Sequence, residues 1–195
     1  EPSIFLSIRV LGSVATLLPT FTVYTCTISA YITHTANITE VMPSKCPDEK
    51  SILAPVSFSI ATWAPQRQLW MLAIIVHLPA RALLMTMIPR DWPERFWRWS
   101  FYAATFLEML GLTLLSLFHN DAKAHKYIHF TSFGTWWMAT IVVMGIVVRM
   151  QRTNAVNLEA RVNRLWLAKM AVLISFILSC FAITLSYWLA QKYCS

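Results

Sequence analysis

The chain has 195 residues, of which 57% are hydrophobic and 13% charged, and a net charge of +7. That length fits a single domain, 1–195, with no room for a separate soluble enzyme, and a mean hydropathy of +0.54 leaves a soluble protein nowhere to put its apolar surface. The basic balance does not point to nucleic acid, because Lys and Arg sit in short segments beside apolar runs, as in juxtamembrane loops.

Five apolar stretches follow one another, at Val10–Thr33, Leu69–Ile88, Phe101–Phe118, Phe130–Val148 and Leu165–Ala190. Each is about the ~20 residues that cross a bilayer as a helix. The first and last are longer and are expected to tilt or extend past the hydrocarbon. In lipid every backbone polar group must be paired internally, which leaves helices or closed barrels. The runs are continuous rather than alternating, so the predicted fold is all-α, a polytopic transmembrane bundle of five helices. The first stretch is too long and too threaded with polar residues for a cleaved signal peptide. The chain starts at Glu1 rather than Met, and a true N-terminus further upstream is expected.

The loop 34–68 follows the first helix. It holds Cys46, Arg67 and the sequon Asn37-Ile38-Thr39, an N-glycosylation acceptor pattern. The second helix carries His77 and Arg81 around Pro79, and the third carries Glu108. Loops 89–100 and 149–164 supply Arg90, Arg95, Arg98, Arg149, Arg152, Arg161 and Arg164, on the same side as Arg9. The other side has Lys45, Lys50, Lys123, Lys126, Lys192 and Arg67. Positive charge stays cytosolic, so the N-terminus and the two Arg-rich loops are expected in the cytosol and loop 34–68 in the lumen or outside the cell. Five crossings place Cys46 and Cys194 together on that oxidising side, as a disulfide or as two free thiols. Cys26 and Cys180 fall inside helices, where a thiol behaves as a small hydrophobe. Trp63, Trp70, Trp92, Trp97, Trp99, Trp166 and Trp188 lie near predicted helix ends, the headgroup zone that indoles favour. Trp136 and Trp137 lie deeper, where packing is the simpler role.

The segment Ala54-Pro55-Val56-Ser57-Phe58-Ser59-Ile60, then Pro65-Gln66-Arg67, Trp70 and His77-Leu78-Pro79-Ala80-Arg81, resembles the post-GPI-attachment lipid-remodelling family. That family belongs to the superfamily of damage-regulated autophagy modulators and related multi-pass membrane proteins. The similarity extends through Glu108, His125 and Tyr193-Cys194. The last motif matches loosely, since Ala80 separates Pro79 from Arg81. The resemblance implies a secretory-pathway protein of the endoplasmic reticulum, Golgi or plasma membrane, concerned with lipid maturation of GPI-anchored proteins. It also implies a cysteine at each of positions 46 and 194, hence a Cys46–Cys194 disulfide, and a sixth helix that this stretch of sequence lacks.

Polar groups within a membrane are costly and therefore functional candidates. His77 and Arg81 are four residues apart and share a helix face. Pro79 frees a carbonyl one turn earlier. Arg81 lies about 12 Å from the Arg-rich end of its helix and Glu108 about 13 Å, at ~1.5 Å per residue. The short connection makes the two helices antiparallel neighbours, so an Arg81–Glu108 ion pair is expected. The functional reading adds a lipid site, with Arg67, His77 and Arg81 contacting a membrane phospholipid or GPI lipid and Arg81 as anion anchor. The plainer reading is a structural pair that sets helix register.

His119, Asp121, His125 and His129 cluster in sequence, and a lumenal metal-dependent lipid hydrolase is the lesser alternative. His-x-x-x-His alone is a weak signal, so no metal, cofactor or catalytic residue is assigned. Ser57 and Ser59 suit turns better than nucleophilic roles. No CxxC, P-loop, GxSxG, HExxH or dinucleotide motif occurs. Another reading is a non-enzymatic accessory subunit of a membrane assembly such as a lipid-transfer complex, docking other membrane-protein subunits through Ala171, Ser175, Ser179 and Ala182–Ser186.

Overall fold

The computed structural model describes residues 8–40, 59–60, 62–89, 92–118, 123–154 and 160–193. Five long helices make up almost all of this: α1 Ile8–Glu40, α2 Gln66–Met87, α3 Arg95–Leu117, α4 Lys123–Asn154 and α5 Ala160–Tyr193. No strand occurs among the described residues. Among the described residues, four segments are long and apolar enough to cross a bilayer: Val10–His34, Gln66–Met87, Arg95–Leu117 and Tyr127–Met150. The described apolar part of α5 is Trp166–Ala182.

Helix limits run past the predicted apolar stretches. The helical hydrogen-bond ladder needs no apolar side chain, so polar residues at the membrane surface extend it. Thus α1 continues beyond the expected end at Thr33, with a break at His34 (φ −131°, ψ 27°). Asn37 lies on the helical backbone after that break. At the other end of the expected loop, α2 begins at Gln66 rather than Leu69. Cys46 and Cys194 lie outside the described residues, as do Ser57, His119 and Asp121.

The helices form two antiparallel pairs, α1 with α2 and α3 with α4. A smaller α2–α3 contact joins them, and α5 leans on α4. In the first pair, Leu11 and Ala15 pack on Ala80 and Leu84. In the second, Phe101 and Ala104 pack with Val143, Ile146 and Met150. Gly111 sets the closest approach of α3 to α4. A Cβ there would stand 2.7 Å from the Trp136 backbone nitrogen and 3.0 Å from the Ser132 carbonyl. Small residues let helices in lipid approach backbone to backbone, where packing replaces the hydrophobic effect as the driving force.

Two of the tryptophans near helix ends are taken into the bundle. Trp70 is buried and donates from Nε1 to Ser116 Oγ at 3.0 Å. Trp92 is buried against Phe101, ring centroids 5.1 Å apart. Trp99 does remain exposed. Ser59 also departs from its expected turn role: it is helical, fully buried, and its hydroxyl has no partner.

Candidate intramembrane polar site

The site begins with two prolines. Pro19 in α1 has no N–H to give the Ala15 carbonyl, and Pro79 in α2 has none for Ile75. Free carbonyls inside a membrane need other partners. His77 of α2 faces the Ala15 backbone across the first helix pair, beside the carbonyl that Pro19 leaves free. His77 is 8% exposed, and its Nδ1 has no partner.

One turn along α2, Arg81 Nη2 donates to Glu108 Oε2 on α3 at 2.6 Å. The side chains are 24% and 12% exposed. Glu108 Oε1 lies 3.3 Å from Thr140 Oγ1 on α4. That hydroxyl also lies 2.8 Å from the Trp136 carbonyl. A hydroxyl has one proton, and the shorter distance favours Trp136. Glu108 thus bridges the two helix pairs. Arg81 has five N–H donors, and the Glu108 bond uses one of them. Just beyond the pair, Thr105 is 1% exposed with its hydroxyl unpartnered. A partly buried salt bridge flanked by unpartnered polar atoms is well suited to make further hydrogen bonds.

Arg67 is exposed at the start of α2. It precedes Arg81 by ~21 Å along the helix, too far for one phosphate to touch both. One residue before Arg67 lies a second polar group that the sequence does not single out. Gln66 is 1% exposed and donates from Nε2 to Ser29 Oγ at 3.1 Å, while its backbone carbonyl accepts the Cys26 thiol at 3.4 Å. Its Oε1 has no partner. A glutamine in the first turn of an apolar run is the one sequence signal that marks it.

His125 and His129 sit in different surroundings. His125 is exposed, and His129 Nδ1 lies 2.8 Å from the Phe118 carbonyl. Among the described residues no three His, Cys, Asp or Glu come together.

The family description Frag1/DRAM/Sfk1/Cwh43P N-terminal domain matches residues 7–195. The chain belongs to this family. The Frag1/DRAM match agrees with the superfamily that the motifs in α2 suggest, and it makes the chain a multi-pass membrane protein. It does not single out the GPI-remodelling branch. No curated protein and no solved structure matches the chain.

Proposed function

We propose that this Frag1/DRAM-family chain binds and presents a membrane lipid, in the manner of GPI-anchor lipid remodelling, without itself being the catalyst. The observation that carries the reading is the buried His77 Nδ1, unpartnered beside an arginine with donors to spare. Leaving a polar atom unpaired in a low-dielectric interior is costly, and a ligand's hydroxyl, which can donate or accept, removes that cost. Arg67 and Arg81 act as two stations on one path: Arg67 meets the headgroup at the mouth, and Arg81 with His77 holds it at the seat. On the orientation expected from the arginines, the mouth opens to the lumenal leaflet of a secretory-pathway membrane and the N-terminus is cytosolic.

Native mass spectrometry of detergent-extracted protein tests this with the wild type, Arg67→Ala and His77→Ala. Both variants are expected to lose bound phospholipid or GPI lipid. Equal occupancy in all three, with the proteins folded, would overturn the lipid site.

A second reading has an observation of its own. Ala171, Ser175, Ser179 and Ala182 are all exposed on the loosely packed α5, at the spacing of one helix face. Such a face suits close docking of another membrane subunit. In that reading the chain is an accessory subunit, and the same spectra would show a co-purifying partner.

A further inference from the structure

The outward face of α3 carries a second, different set of groups. Arg95, Trp99, Ala103, Phe106 and Leu110 follow at steps of four, four, three and four, so they form one stripe. All are exposed, Trp99 by 68% and Phe106 by 61%. Arg98 flanks the stripe one turn from Arg95, and Phe96, 70% exposed, flanks its other edge. The polar groups therefore collect at the Arg-rich end, and the rest of the stripe is apolar.

The inward face of the same turn is already used. Trp97 packs against the second core, and the Arg149 guanidinium sits 4.4 Å from its ring centre. The Trp99 ring meets Tyr102 edge-on at 5.9 Å, which fixes the indole at the top of the stripe. Neither Arg95 nor Arg98 pairs with an acid among the described residues. Glu94, exposed beside them, is the described carboxylate that partly offsets their charge.

We propose that the outward face of α3 binds one anionic phospholipid, its phosphate held by Arg95 and Arg98 and its acyl chain laid along Ala103, Phe106 and Leu110. Arginine pairs with phosphate through two parallel N–H bonds, and the Trp99 N–H adds a further donor at headgroup depth. From Trp99 to Leu110 the stripe runs ~16 Å, close to half of the ~30 Å hydrocarbon thickness. Ala103 leaves a notch between the large rings of Trp99 and Phe106, where a chain can lie close to the helix. This seat is at the opposite end of the bundle from Arg67 and does not depend on the site at His77 and Arg81.

The test offers the full chain in detergent phosphatidylserine or phosphatidylcholine with matched acyl chains, and reads retention by native mass spectrometry. The wild type is expected to retain phosphatidylserine about tenfold more strongly, given the usual attraction of each juxtamembrane arginine for anionic lipid. Arg95→Gln with Arg98→Gln is expected to bring the two lipids to near equality, with an unchanged thermal transition, because neither side chain is in the core. Arg95→Lys with Arg98→Lys is expected to keep a preference for phosphatidylserine. Equal retention by the wild type, or an undiminished preference in the Gln variant, would overturn the proposal. If the Gln variant does not extract as folded protein, salt decides on the wild type alone. Phosphatidylserine retention must then fall at high salt while phosphatidylcholine retention does not, and a salt-independent preference overturns the seat.

Discussion

Arg81 and Glu108 stabilise each other only as a pair. Two charges removed from water are costly, and their attraction offsets that cost when the geometry is good, as at 2.6 Å here. Deleting one strands the other. Arg81→Ala and Glu108→Ala are each expected to destabilise the protein by about 3–5 kcal/mol, the usual cost of breaking a buried pair. The double variant should recover part of the loss. Thermal unfolding of all four proteins in one detergent measures the coupling, and strictly additive losses would show that the contact contributes nothing. The level of these residues along their helices is legible in the sequence, by counting back from the short α2–α3 connection. The rotations that bring them into contact are not. A transmembrane helix is apolar on several faces, so the pattern that marks the inner face of a soluble helix is weak here. For the same reason the Gln66–Ser29 and Trp70–Ser116 bonds could not be read from spacing.

At the scale of helices, the α3–α4 seam depends on Gly111. A methyl added there meets backbone rather than a side chain that can swing away. Gly111→Ala is therefore expected to destabilise by about 1–3 kcal/mol, the range for overpacking. Gly145 in α4 has nothing within 4 Å of the same added atom. Gly145→Ala is expected to be neutral or to stabilise by up to ~1 kcal/mol through helix propensity. Unfolding midpoints of the two variants should move in opposite directions or differ clearly in size. The sequence shows only four glycines, at 12, 111, 134 and 145, and gives no hint which one faces a neighbour. Helix number and approximate span, by contrast, follow from apolar length alone. Their ends do not, because polar residues such as Gln66 and Lys123 continue the ladder into the interface.

At the scale of the molecule, two helix pairs meet through a limited interface, and among the described residues α5 adds little to the core. A Cys46–Cys194 disulfide would link the loop after α1 to the chain just beyond α5, restraining the least embedded helix. It is expected to stabilise by about 2–4 kcal/mol. Peptide mapping without reduction would reveal the linked fragments, and quantitative alkylation of both thiols in unreduced protein would rule the bond out.

The Arg81–Glu108 bond spans 27 positions of sequence, and this has a consequence in time. At about 5–20 residues per second, the ribosome makes Arg81 roughly one to five seconds before its counter-charge. During that interval α2 already has α1 beside it but not α3. The arginine must then reach toward the nearer membrane surface, as long basic side chains do. A nascent chain stopped before Glu108 should therefore be poorly anchored, and one extended past α3 firmly anchored. Alkaline extraction of ribosome-bound intermediates of increasing length would show a step at α3. A smooth rise with length would mean that α2 is integrated without waiting for its partner.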